Sequence, residues 1–150
     1  MRKLIITAII LTLPSLAMAQ TPTEMVKARQ EQMKAFGKQV GVFAAMAKGQ
    51  VDYTPEAAQA AADTLAAEVA KVNESLWAPG TSSADLPGVS EAKPALWENY
   101  EKVATLMGNL KTETANMQQQ AGLGKPQMLK ALGALGETCR ACHSDYKLDD

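Results

Sequence analysis

The strongest constraint on the fold is a stripe of apolar positions repeating at alternating steps of four and three. It is clearest in Leu96, Tyr100, Val103, Met107, Leu110, Thr114 and Met117, the spacing of one helix face packed at a shallow angle on its neighbours. From about Thr23 to Lys48 the same alternation runs through Arg29, Met33, Phe36, Val40, Phe43 and Ala47, with Gly49 placed as a C-terminal cap. Thr54-Pro55-Glu56 supplies a capping hydroxyl, a proline suited to the first helical position and an early acid. It announces a second helix through Ala58, Ala61, Leu65, Val69, Val72 and Leu76, ending near Trp77. A third helix opens at Pro94 and is stopped by Gly122-Leu123-Gly124. The fourth starts at Pro126, carries Leu129, Leu132, Leu135, Cys139, Cys142 and Tyr146 on one side, and ends around Lys147.

Aromatic residues make up only 5% of the chain, and strong helix formers outnumber the β-branched and aromatic residues that strands prefer. Four stripes that must each be buried against other helices predict an all-α fold, an antiparallel four-helix bundle. Residues Ala78 to Lys93 break the pattern with Gly and Pro clusters among serines and threonines, and are expected to form a long ordered loop or short turns.

The N-terminus has a different logic. Arg2-Lys3, an uncharged run from Leu4 to Leu13, then Pro14 and Ala17-Met18-Ala19 have the layout of a secretory signal peptide, so residues 1–19 are expected to be cleaved and 20–150 to form one domain. No stretch reaches the roughly 20 apolar residues a membrane span needs. Loss of Arg2 and Lys3 leaves 13 Lys+Arg against 16 Asp+Glu, a net charge of −3. That balance argues against nucleic acid as a partner, since phosphate binding needs a clustered basic surface.

Chemistry concentrates in Cys139-Arg140-Ala141-Cys142-His143. Two thiols three positions apart on a helix point the same way and can each add across one vinyl group of a haem. The histidine that follows is then delivered to the iron along its axis, so one pentapeptide serves as tether and ligand for a single covalent haem c. Export agrees with attachment outside the cytoplasm, in an oxidising compartment. Three other readings compete: inert buried cysteines, a thiol-disulfide oxidoreductase and structural zinc. An oxidoreductase motif opens a helix, where the first thiol's pKa is lowered, whereas this pair lies near the end of the last one. A closed zinc site wants four ligands, and the chain offers two cysteines and one histidine. A haem-free helical binding module remains the other contrasting reading.

With one histidine in the chain, the iron's sixth position falls to methionine, another weak ligand, an exogenous molecule or nothing. Met33, on the inward stripe of the first helix, is the candidate, and gap filling in the core is its alternative. Arg29 on the same stripe suits a haem propionate, or else snorkels to solvent. Lys147, one turn beyond His143, either sets a positive field near the iron or complements the helix dipole. Gly133 and Gly136 cost about 1 kcal/mol each relative to alanine inside a helix, which a flat macrocycle against that helix would explain. Gly37 and Gly41 repeat the case on the first helix, where a contact between two subunits explains them equally well.

These residues resemble the class II cytochromes c, in particular the cytochrome c′ family, from about Thr23 to Lys147. The resemblance is carried by Arg29-Gln30 with Met33, Lys48-Gly49, the loop Pro79-Gly80-Thr81-Ser82-Ser83-Ala84-Asp85-Leu86-Pro87-Gly88, Ala95-Leu96-Trp97, and Cys139 to His143 followed by Tyr146-Lys147. It implies a left-handed four-helix bundle, often paired through its first two helices, with the haem attached near the C-terminus of the last helix. It implies a periplasmic protein with five-coordinate iron, whose crowded apolar distal side admits nitric oxide or carbon monoxide. In low-spin relatives a methionine at the place of Met33 closes the sixth position. By the same resemblance Arg29 holds a propionate, Met33 is the distal residue, and Lys147 stands where many relatives carry an arginine.

The sequence therefore predicts a periplasmic monohaem cytochrome that exchanges single electrons with redox partner proteins; the resemblance alone implies NO or CO binding where the distal site is open, and pairing into a homodimer. No acid–base pair or activated nucleophile is visible beside the committed histidine, so it is not expected to be an enzyme.

Overall fold

Helix ends are set by local side-chain chemistry. In the computed structural model, which describes residues 20–149, α1 spans Pro22–Ala47. Thr21 accepts from the Glu24 N–H, and the Glu24 carboxylate accepts from the Thr21 N–H at 2.8 Å. This reciprocal capping holds the Glu24 carboxyl below its usual range. Gly49, at φ +69°, turns the chain out of the helix as only a residue without Cβ does easily. Helix α2, Pro55–Ala70, starts where the Thr54 hydroxyl accepts from the Ala57 N–H at 3.2 Å. A short α3, Ala95–Glu98, precedes α4, Tyr100–Gln120, and α5 spans Lys125–Tyr146. The expected leader, Met1 to Ala19, lies outside the described residues, and no described helix is long and apolar enough to cross a membrane.

Three expectations are corrected here. The second helix stops at Ala70 instead of Trp77, and Glu74–Trp77 forms a separate 3-10 turn behind Asn73, whose side chain accepts from the Ser75 N–H at 2.9 Å. The third helix is interrupted at Asn99 (φ −118°, ψ 42°), whose amide donates to the Ala95 carbonyl at 2.9 Å. In both places an asparagine offers the backbone a bond that competes with helix continuation. On α5 the buried register is Met128, Ala131 and Leu135, while Leu129 is 40% exposed and Leu132 only partly buried. Each register is helical in spacing, so periodicity alone does not choose between them.

The elements form the expected antiparallel four-helix bundle: α1 packs on α2 and α5, and α4 packs on the same two. The bundle divides along its length. Phe43 and Met46 from α1, Leu65 from α2, Met117 from α4 and Met128 and Leu135 from α5 fill one half, each at most 1% exposed. At that end the Tyr53 hydroxyl donates to the Ala121 carbonyl at 2.9 Å. In the other half the α4 stripe stays open, and of that helix only Thr114 and Met117 are buried. Tyr100, expected in the core, is 60% exposed.

The crossover between α2 and α3 closes over that open half. Gly80 and Gly88, at φ +82° and +73°, make its turns, and Ser83 N–H donates to the Ala92 carbonyl at 2.7 Å. Lys93 N–H donates to the Tyr146 carbonyl and Leu148 N–H to the Glu91 carbonyl, both at 2.8 Å, tying the loop to the end of α5. Inside the loop the hydroxyl and then the N–H of Ser82 donate to Asp85, holding its carboxyl below the usual range. A depressed folded pKa gives stability that is present above the unfolded value and lost as pH falls through the folded one. Asp85→Asn is therefore expected to be less stable than the parent near neutral pH, with a gap that closes in acid. Denaturation midpoints across pH check this, and a constant gap contradicts it.

Candidate functional site

The open half encloses a cavity of about 760 Å³, lined by residues of α1, α3, α4, α5 and the crossover. Small-molecule and cofactor sites typically fall between about 300 and 1,000 Å³. Met33 comes from α1, Val72 and Trp77 from the crossover, Leu96 and Trp97 from α3, Val103 and Met107 from α4, and Cys142, His143 and Tyr146 from α5. This explains the stripes: their upper members face a cavity whose occupant, not another helix, completes their burial.

Of the residues singled out by sequence, the cavity brings together Arg29, Met33, Cys142, His143 and Lys147. Cys139 lies one turn back on the same face of α5, partly buried like Cys142. Burial pushes both thiols up, and Cys139 and Asp145 add to the rise at Cys142. A disulfide-exchange nucleophile needs the opposite shift, so this environment does not favour disulfide exchange. Among the described residues no group of three or more His, Cys, Asp and Glu is placed to hold a metal ion. Lys147 Nζ lies 3.4 Å from the Glu91 carboxylate across the junction of α5 and the crossover.

Arg29 has more work than expected. It is 3% exposed and does not snorkel. One terminal nitrogen donates to the Thr81 hydroxyl at 2.8 Å and the Leu76 carbonyl at 3.4 Å, the other to the Thr81 carbonyl at 2.6 Å and the Ser90 hydroxyl at 2.7 Å. Its guanidinium carbon sits 4.9 Å from the Trp77 ring centroid and 5.7 Å from that of Trp97. Burial lowers its pKa. The fork thus clamps the crossover to α1. Sequence reasoning missed this clamp and the role of the two tryptophans, whose only signal was their position at the borders of the loop.

The glycine argument on α5 needs correction as well. Neither Gly133 nor Gly136 lines the cavity, and a Cβ built on either meets nothing within 4 Å. The cavity wall on α5 is confined to Cys142, His143, Tyr146 and Lys147.

The remaining surface fits a haem: apolar and aromatic walls, with the Cys142 thiol and the His143 imidazole at one edge and Cys139 one turn behind them. A four-helix bundle with these features is of the c-type haem protein class, with the cofactor carried at the end of its last helix. Comparison with known proteins agrees. Residues 24–147 match the family model described as Cytochrome C′. The chain is 32% identical over 148 residues to a cytochrome c′ of Cereibacter sphaeroides, covering 99% of each. It is also 31% identical over 123 residues to a cytochrome c-556 of Agrobacterium tumefaciens, covering 82% of this chain and 96% of that one. A solved structure of cytochrome c′ from Rhodobacter Spheriodes superposes with a TM-score of 0.83 at 30% identity, covering 87% of this chain and all of that one. The chain belongs to the cytochrome c′ family, and its cofactor is covalent haem c.

Proposed function

We propose that the protein is a periplasmic monohaem cytochrome that exchanges single electrons and admits NO or CO at an open distal site, without turning over an organic substrate. The observation that carries this reading is one cavity bordered by His143 on α5 and by apolar side chains of α1, α3, α4 and the crossover. Cys139 and Cys142 would anchor the haem through thioethers, and His143 would hold its iron. Bound there, haem would supply a one-electron iron couple and an iron able to take a small ligand.

The chain's own residues do the rest. The side chains of Val72, Val103 and Met107 add no strong hydrogen-bonding groups to the cavity, which penalises water and anions more than neutral diatomic molecules. The Arg29 clamp keeps the crossover seated over the cavity. Lys34 and Lys111, with Glu74 and Glu91, place charges of both signs among the lining residues, where a redox partner would meet them. Pairing with a second copy through α1 and α2 belongs to the same reading. Gly37 and Gly41 have nothing within 4 Å of an added Cβ, so no contact inside the subunit accounts for them.

Met33 lines the cavity too, which favours a second reading, a low-spin electron carrier with Met33 as sixth ligand. Visible spectra separate the two. The first reading expects a broad high-spin reduced spectrum that sharpens with carbon monoxide, and a ferric spectrum unchanged by Met33→Leu. Sharp reduced bands indifferent to carbon monoxide, lost in Met33→Leu, would establish the second. Absence of a Soret band would sink both.

A further inference from the structure

Helix α2 ends below the cavity. The Gln118 amide donates to the Asp63 carboxylate at 2.9 Å, which sets α2 against the far end of α4. From Asp63, α2 runs only seven residues further, to Ala70, so in an antiparallel pair it reaches about as far as Lys111 and leaves the first turns of α4 uncovered. Tyr100, Ala104 and Gly108 follow one another at steps of four along those turns, and all three are exposed while lining the cavity. Side chains that are exposed and cavity-lining at once mark a mouth. Lys34 of α1 and Glu74 of the crossover meet the same two conditions.

Tyr100 is the one large side chain in that row. It is 60% exposed, yet its hydroxyl donates to the Glu74 carboxylate at 3.4 Å, joining α4 to the 3-10 turn across the mouth. Helix α4 begins at Tyr100, directly after the break at Asn99, so no preceding helical turn buttresses the ring. Further along, glycine is unfavourable inside a helix, and a Cβ built at Gly108 meets nothing within 4 Å, so no packing within the chain requires it. Its small size leaves the mouth wide. We propose that this mouth is the passage by which small neutral ligands reach the iron, and that Tyr100, latched by Glu74, is its gate. The inference rests on the open distal site proposed above. Inside the latch, Val72, Ala104 and Gly108 offer no side-chain hydrogen bonds, so a diatomic molecule passes unhindered while an ion must shed its water.

A gate changes the height of a barrier and leaves both end states alone, so it scales association and dissociation by one factor and does not alter affinity. Carbon monoxide binding to the haem-loaded protein, followed by flash photolysis and ligand exchange, reads both rates. In Tyr100→Ala both are expected to rise by about tenfold, the cost of breaking one hydrogen bond to a carboxylate, and less of the photolysed carbon monoxide should rebind before it escapes. Tyr100→Phe keeps the ring and loses only the latch, and should raise both rates by a smaller factor. Gly108→Leu narrows the mouth, so both rates should fall and the share that rebinds before escape should grow. Affinity and visible spectrum are expected to stay those of the parent in all three. Unmoved rates in haem-loaded Tyr100→Phe and Gly108→Leu, or a change in one rate alone, overturn the gate. A changed visible spectrum in Gly108→Leu would put the haem itself against Gly108 and overturn its part in the passage. A parent whose reduced spectrum is indifferent to carbon monoxide overturns the open distal site, and the gate with it.

Discussion

Replacing Arg29 by methionine is expected to destabilise the protein by about 2 to 4 kcal/mol, seen as a lower denaturant midpoint at unchanged slope. The fork makes four hydrogen bonds in a site that is 3% exposed, and bonds to a charged group are worth about 1.5 to 3 kcal/mol each. They do not add in full. The Thr81 carbonyl keeps the Ser90 hydroxyl at 2.8 Å, and the Thr81 hydroxyl keeps the Ala78 carbonyl at 2.7 Å, so the Leu76 carbonyl is the acceptor left most exposed to loss. Burial also disfavours the charged guanidinium, and its removal recovers part of that cost. Loss of the stacked cation between Trp77 and Trp97 pushes the other way, by about 0.5 to 2 kcal/mol. Arg29→Lys is the informative companion. It keeps the charge but presents one ammonium in place of a planar fork, and is expected to lose most of the same stability. A methionine variant within about 0.5 kcal/mol of the parent, the range of an ordinary surface substitution, would show that the loop holds itself in place.

Arg29 also shows where sequence reasoning stops. An arginine on an apolar stripe signals a buried charge, and its chemistry suggested an anion. Its partners Thr81 and Ser90 lie 52 and 61 positions away, in a segment without periodicity, and no local rule connects them. Helix starts were legible because caps act within three residues, as at Thr21 and Thr54. The break at Asn99 was not, because the stripe runs from Leu96 to Met117 without a slip and the asparagine's bond to Ala95 acts against that pattern. The bundle itself was legible from four stripes. What the stripes hide is the partner of each face: Phe43 and Leu65 meet other helices, while Val103 and Met107 meet a cofactor cavity. Cys142 and His143 stood out because their spacing is a local chemical rule that needs no tertiary information.

That rule makes the other large prediction. With Cys139→Ser and Cys142→Ser together, the protein purified from a host with haem-attachment machinery is expected to carry no haem that survives acid and organic extraction, because no carbon–sulfur bond can form. His143→Ala should behave differently. Its thiols remain, so covalent haem is retained, but the iron loses its protein ligand from α5, and the parent's visible spectrum should disappear with a large change in reduction potential. The two variants divide the pentapeptide into tether and ligand. His143→Ala with the parent's spectrum would take His143 off the iron, and extraction-resistant haem in the double serine variant would move the attachment elsewhere. Both effects are near all-or-none, since the chain holds only two cysteines and one histidine and offers no substitute of either kind.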